Sequence, residues 1–288
     1  MKSRIAVVIL NYMNYADTIA CVNCTLNQTY TDYEIIIVDN GSSNQSFNIL
    51  SFIFGGSPKI TLLRSRRNLG YAGGNNIGIR YAKSKLKADY VFVCNSDVLF
   101  EKDLFETIVK VDYTGIGTIS PKVYNLNGKH QIPIIATDHI YLEVLLTALT
   151  MVLAWLHTPL ILFLCRLPKK LIRLLQKKAL SKVSIRQKYT LQGCSYFLTP
   201  EFFRYYKQLY PKTFLYGEEL NLLVYLKKAK LISLMLQTSP VIHKENGSSR
   251  IVFGPQLEQK KLELNTASLM KSLPMYFMTY KEIKKRYH

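Results

Sequence analysis

The sequence predicts an α/β fold: an open, mostly parallel sheet with helices on both faces. Three observations carry that expectation. Four short apolar runs in the first 120 residues read as strands buried on both sides. Stretches of helical spacing separate them. Polar clusters close three of the strands, where ligands bind in sheets of this kind.

The elements follow in order. Ile5 to Leu10 is a continuous, mostly β-branched run, followed by a helical stretch over about Tyr15 to Gln28. Glu34 to Asp39 is the second strand, ending in the turn cluster Asp39-Asn40-Gly41-Ser42-Ser43. A helix through about Phe54 leads to the third strand, Lys59 to Leu63. The segment Asn68 to Gly74 reads as a loop before a helix over Asn75 to Lys85. The fourth strand, Tyr90 to Cys94, runs into Asn95-Ser96-Asp97. Further on, helices are expected around Glu201 to Gln208 and Glu219 to Ala229, and a strand around Leu231 to Leu236.

Composition narrows the function. The chain has 288 residues, 48% of them hydrophobic, enough for a sizeable core. Its 38 Lys and Arg against 19 Asp and Glu give a formal charge of +19, which points to a polyanionic partner. Leu10 to Asn14 contains no glycine, so the dinucleotide fingerprint is missing where a pyrophosphate would need it, and no P-loop motif occurs. The five cysteines are scattered; Cys21 and Cys24 form a CxxC with no second ligand pair at zinc spacing, so packing in a reducing compartment is expected. The apolar run after Met1 is too short for a signal peptide, which suggests a cytoplasmic start.

Tyr141 to Cys165 is 25 residues long with one formal charge, Glu143. The next 23 residues, Arg166 to Lys188, carry nine cations and no acid, with leucines at helical spacing. One membrane crossing here would put Asp97 and Glu219 on opposite sides, and Pro159 interrupts the apolar run. The stretch therefore reads as a hairpin or in-plane helices on the cytoplasmic leaflet, or as a buried pair in a subdomain or dimer interface.

Several motifs point further. Val38-Asp39-Asn40-Gly41-Ser42 resembles the base-binding turn of family-2 glycosyltransferases. Asn68-Leu69-Gly70-Tyr71-Ala72-Gly73-Gly74-Asn75-Asn76 resembles the second signature of their rhamnosyltransferase-like, surface-polysaccharide branch. Asn95-Ser96-Asp97-Val98 is similar to a variant of the family's DXD motif. Phe214-Leu215-Tyr216-Gly217-Glu218-Glu219 resembles the segment carrying the catalytic base, and His243 with Gly247-Ser248-Ser249 resembles the motif that closes the domain. The motifs stand in the family's order from Ile5 to Ser249.

The resemblance implies a GT-A fold, a nucleotide-diphosphate sugar donor, a divalent cation (Mg²⁺ or Mn²⁺) and inverting transfer. Asp97 is the candidate metal ligand, by strand-end position and by motif; the alternative is a helix cap. His243 could add a ligand or touch the diphosphate. Asp39, with Asn11 and Asn40, could receive a uracil or thymine N3–H, hence UDP- or dTDP-sugars; the alternative is an Asx turn. Gly73 and Asn75 suit an anion at a helix N-terminus, or a tight loop. Glu219 matches the general base and Glu218 would hold the acceptor or its loop; adjacent acids also suit a first helical turn. Gly193 and Cys194 would line the acceptor side. Where the family often has Asp and Arg, this chain has Asn221 and Tyr225.

The expected organisation is a nucleotide-sugar half over 1–139, a membrane-associating insert over 140–188, an acceptor half over 189–254 and a basic tail over 255–288. The expected function is transfer of a hexosyl or deoxyhexosyl group to a saccharide, lipid-linked for preference, on the inner face of a cell membrane. A homodimer is compatible. The competing readings are a catalytically impaired membrane-bound relative and a basic nucleic-acid-binding protein; the cations cluster beside the apolar stretch and in the tail, which disfavours nucleic acid.

Overall fold

The computed structural model describes residues 3–131, 133–135, 190–245 and 253–288. The apolar and basic stretch expected over 140–188 and the Gly247–Ser249 motif lie outside them. Four parallel strands form the first half of the sheet: β1 (Ile5–Asn11), β2 (Tyr33–Asp39), β3 (Ile60–Arg64) and β4 (Tyr90–Asn95). The second half holds β5 (Val98–Phe100), β6 (Ile116–Asn125), β9 (Ser195–Leu198) and β10 (Ile232–His243). The order across the eight strands is β3-β2-β1-β4-β9-β6-β10-β5. β9 runs antiparallel to both β4 and β6, and β10 is parallel to β6 but antiparallel to β5. The parallel sheet of the sequence reading is thus continued by a mixed half. A ribbon of β7 (Ile134–Ile135) and β8 (Thr190–Leu191) stands apart.

The strands are apolar on both faces because both faces are covered. Ile5, Val7 and Ile9 point to one core, with Cys21 and Val22 of α1 (Tyr15–Leu26), Leu50 of α2 (Ser46–Phe54) and Phe105 of α4 (Leu104–Val109). Ala6 and Val8 point to the other, under α3 (Gly70–Ser84), α5 (Pro200–Tyr205) and α6 (Glu218–Lys228). Phe92 stacks on Phe197 at 4.2 Å in the first core, and Tyr206 on Tyr225 at 4.4 Å in the second. Cys21 and Cys94 are free and buried, with sulfurs 3.8 Å apart.

Two elements differ from the sequence reading. α3 begins at Gly70, so Asn68 to Gly74 is not a loop throughout: its glycines lie inside the helix. Residues 255–288, expected as a basic tail, form α7 (Leu257–Phe277) and α8 (Tyr280–Tyr287). Met275, Tyr276, Ile283 and Tyr287 belong to the second core. α8 is opened by a reciprocal capping box between Thr279 and Glu282. Among the described residues, no helix is long and apolar enough to cross a membrane.

Candidate active site

The register of β1 against β2 sets Asn11 opposite Asp39, and that against β4 sets Leu10 opposite Asn95. The strand-end clusters therefore meet. Asp39 is buried; Oδ2 accepts from Asn11 Nδ2 at 2.8 Å and Oδ1 from the Ser42 amide at 3.1 Å. Arg64 Nε lies 3.8 Å from Oδ1. So the Asx-type turn is present, and Asp39 also organises its neighbours. Asn40 joins this turn to the next segment: its amide donates to Asn68 Oδ1 and Gly70 O, and its own oxygen accepts from the Leu69 amide.

Gly70 has φ +75°, and a Cβ there would overlap the Phe214 backbone. Only glycine fits both the left-handed turn and that approach. The reward is a backbone bond across the cleft: the Tyr71 amide donates to Phe214 O at 2.7 Å. The Tyr71 hydroxyl donates to Gly193 O, also at 2.7 Å. Gly73 and Asn75 are not among the residues that line the two cavities described below. Gly73 sits one turn after Leu69, and Asn75 is buried with its amide donating to Tyr71 O. The anion-binding role expected of them loses its geometric basis, because the helix starts before them.

Two cavities, of about 520 and 530 Å³, share Tyr71, Asn95 and Leu215 as walls. The first is also lined by Tyr12, Asn40, Asn68, Asp97 and Phe214. The second takes in Gly193, Cys194, Glu218, Glu219 and His243. Of the sequence candidates, seven line one or the other of these adjoining cavities: Asn40, Asp97, Gly193, Cys194, Glu218, Glu219 and His243. Asn11 and Asp39 stand one layer behind. Tyr12, Tyr71, Gln131 and Gln192 line them without having been singled out. Tyr12 had a visible signal, its place beside Asn11 in a strand-end cluster.

Asp97 is buried beyond the end of β4. Its Oδ1 lies 3.3 Å from His243 Nε2, while Oδ2 has no hydrogen-bond partner among the described residues. Gln131 Oε1 holds the other ring nitrogen at 3.2 Å. Burial works against a charged His243, but hydrogen bonds with Asp97 and Cys194 outweigh it and raise its pKa to about 10. The buried Oδ2 and the adjacent imidazole fit one edge of a hard-cation site whose other ligands would come from phosphate oxygens and water. Among the described residues there is no group of three or more His, Cys, Asp or Glu that could hold a metal unaided.

The acids open α6. Tyr216 and Gly217 both have positive φ, 71° and 81°, and this double left-handed step turns the chain into the helix at Glu218. Helix N-termini favour carboxylates, but here burial wins. It raises Glu218, helped by the charge of Glu219, to about 8, and raises Glu219 as well. Glu218 Oε1 is buried with no hydrogen-bond partner among the described residues. Glu219 packs against Gly193. Burial that raises the pKa of a cleft carboxyl makes its ionised form the stronger base, which suits a proton acceptor. Asn221 and Tyr225 turn the other way, into the core: Tyr276 donates to Asn221 Oδ1 at 2.9 Å, and Tyr225 stacks on Tyr206. Their departure from the family's Asp and Arg thus goes with the helices that cover α6.

The mixed sheet with its cleft at the strand ends is the GT-A glycosyltransferase fold. The mannosyltransferase PcManGT of Pyrobaculum calidifontis, solved with GDP-Man and Mn²⁺, is similar with a TM-score of 0.56 at 12% identity, over 95% of this chain and 70% of that one. TarS 1-349 of S. aureus with UDP-GlcNAc gives 0.52 at 10% identity, over 85% and 59%. At such identities the likeness is one of fold. In sequence, residues 6–125 match the family model described as Glycosyl transferase family 2. The glycosyltransferase GlyG of Streptococcus pneumoniae is 31% identical over 108 residues, 38% of this chain and 35% of that protein. The low-salt glycan biosynthesis hexosyltransferase Agl10 of Haloferax volcanii is 30% identical over 129 residues, 44% and 39% respectively. The matches thus span little more than a third of these relatives.

Proposed function

We propose that the chain is an inverting glycosyltransferase that moves a sugar from a nucleotide-diphosphate donor to a saccharide in surface-polysaccharide or glycan synthesis. The observation that carries this reading is adjacency: Asp97 lines a cavity that shares Tyr71, Asn95 and Leu215 as walls with the one lined by His243, Glu218 and Glu219, and Asp97 Oδ1 lies 3.3 Å from His243 Nε2. A charge-neutralising edge and a proton-accepting pair are the two things such a transfer needs from a protein. The structural neighbours solved with GDP-Man and UDP-GlcNAc agree with a nucleotide-sugar donor.

Tyr12 presents a ring to the first cavity as a face for the base. Asn40 and Asn68 fix the turn around it, backed by Asp39 and Asn11. The UDP- or dTDP-sugars expected from the sequence rest on Asp39 as an acceptor for the base, but Asp39 lines neither cavity and its oxygens are engaged by Asn11 and Ser42, so the nucleotide is to be read from the test below. Asp97 and His243 would hold a divalent cation, which supplies charge neutralisation for the leaving diphosphate when bound. The acceptor hydroxyl enters through the second cavity beside Gly193 and Cys194. Its oxygen bonds to the anomeric carbon as the bond to the diphosphate oxygen breaks, the electron pair leaving with the phosphate. The proton goes to Glu219. Glu218 sets the charge of the pair and orients the acceptor. We place the protein on the cytoplasmic face of a membrane, held by residues 140–188, with a lipid-linked acceptor.

The test is ligand-dependent melting with UDP, dTDP and GDP, each with and without Mn²⁺, followed by transfer assays with the nucleotide that binds. A ligand that binds only the folded protein raises Tm by several degrees at saturating concentration. No shift with any nucleotide would overturn the reading.

A further inference from the structure

We infer that the outward face of α7, continued by the cations of α8, docks on an anionic lipid surface. The residues come first. Leu262, Met270 and Phe277 are spaced eight and seven residues apart, which puts them within about 80° of one another around the helix. The neighbouring side is already used: Leu269, Met275 and Tyr276 lie in the core, Leu273 packs against it, and the Ser268 hydroxyl donates to Leu215 O at 2.8 Å. The helix is thus fixed from the inside and remains apolar on the outside. Leu262 is 44% exposed, Met270 58% and Phe277 83%. Scattered exposed apolar residues are ordinary; a row of them along about 22 Å of one helix marks an interaction surface.

Charge selects the occupant. From Lys271 to His288 there are five cations, Lys271, Lys281, Lys284, Lys285 and Arg286, against one acid, Glu282, while the start of α7 is balanced, Lys260 and Lys261 against Glu258 and Glu263. Glu282 is tied into the cap of α8. Ile283 and Tyr287 turn the inner side of α8 into the core, and the five cations are exposed. A second copy of a chain with net charge +19 would bring these cations against their own kind. Anionic headgroups would instead attract them while the apolar row enters the acyl boundary. This stretch is distinct in sequence from residues 140–188. The docking does not rest on the glycosyltransferase reading; its use does. Leu257, Lys260, Lys261 and Leu264 of the same helix line the cleft, so docking would bring a lipid-linked acceptor near Glu219.

The experiment is site-directed fluorescence on the full chain. Trp155, the only tryptophan, is replaced by Phe. Phe277→Trp and, separately, Met270→Trp then report from α7, and Phe52→Trp, at a site 92% exposed on α2, serves as control. With vesicles containing phosphatidylglycerol, both α7 reporters should shift to the blue and be quenched by brominated lipid; the control should not. Lys281→Gln, Lys284→Gln and Lys285→Gln combined should weaken the partition by about tenfold or more. Reporters that stay solvent-like while the protein sediments with vesicles would overturn the proposal, as would no binding at low salt. A blue shift that depends on protein concentration without vesicles would also overturn it, by making the occupant a second copy. Loss of vesicle binding with nucleotide binding retained would reject this surface alone.

Discussion

Gly193 and Glu219 touch so closely that a Cβ on Gly193 would fall within the Glu219 carboxylate. Gly193 is held there from the other side, where its carbonyl accepts from Tyr71 at 2.7 Å. The glycine therefore sets how far the proposed base reaches into the acceptor cavity. Gly193→Ala should push the carboxylate aside. We expect transfer to fall by roughly 10²-fold, as an ångström-scale misplacement of a reacting group does. Nucleotide affinity, measured by calorimetry, should be unchanged. A variant as active as the parent would show that Glu219 does not act from this position.

The acid pair itself makes a pH-dependent prediction. Glu219→Gln keeps the size of the side chain but cannot take a proton, so transfer should fall by about 10²-fold or more with the donor still bound. If Glu218→Gln is the dead variant instead, the roles are reversed. In the native protein the rate should rise with pH as the pair ionises, because a general base must be deprotonated. Stability should move the opposite way. Glu218 is raised from 4.5 to about 8, so across that window the folded chain holds a proton that the unfolded chain has released. The stabilising effect is complete below the lower value and lost as pH rises through the upper one. Glu218→Gln should therefore raise Tm at about pH 9 and leave it nearly unchanged at about pH 4.

How much of this was legible follows from how local each cause is. The strands of the parallel half are β-branched runs, and burial on both faces leaves them no other pattern. Asp97, Glu218, Glu219 and His243 stand in short motifs, so they could be found without coordinates. The start of α3 could not: Asn68 to Gly74 looks like a loop until Phe214, far along the chain, supplies the partner for the Tyr71 amide. Asn75 was misread with it. Gln131 and Gln192 lie outside the strands and reach the cleft through the path of the chain beyond β6 and β8, which no short motif marks. The C-terminal helices were hidden by their charge, since the cations masked the inward spacing of Met275, Tyr276, Ile283 and Tyr287.

Asp97 gives the test of the cation. Its Oδ2 is buried and unpartnered among the described residues, a costly state for a carboxylate unless something binds it. Asp97→Asn should leave the fold intact and remove most of the Mn²⁺-dependent part of nucleotide binding in calorimetry. Because His243 is raised to about 10, the Asp97 pair holds a proton at neutral pH, and a cation that takes His243 as a ligand must displace it. Binding should then release close to one proton, visible as a dependence of the measured heat on the buffer. An Asp97→Asn variant with unchanged cation dependence would remove Asp97 from the site.

The last prediction concerns the helix that closes the cleft. Tyr276 of α7 donates to Asn221 Oδ1 of α6 at 2.9 Å, and both side chains are buried. This bond ties the wall that carries Lys260 and Leu264 to the helix that begins with the acid pair. Tyr276→Phe removes the donor and leaves Asn221 Oδ1 without it in the core. The ring keeps its packing, so the loss should be that of one buried hydrogen bond, about 1–2 kcal/mol. For a chain of this size that corresponds to a fall in Tm of roughly 2–6 °C. Asn221→Asp would place a carboxylate where the family often has one, but facing the Tyr276 hydroxyl in the core, and should cost more at neutral pH than at low pH, where the acid is protonated. Thermal melts of the two variants at both pH values check this. An Asn221→Asp variant as stable as the parent at neutral pH would mean that position 221 is open to solvent, with α7 not covering α6 as described.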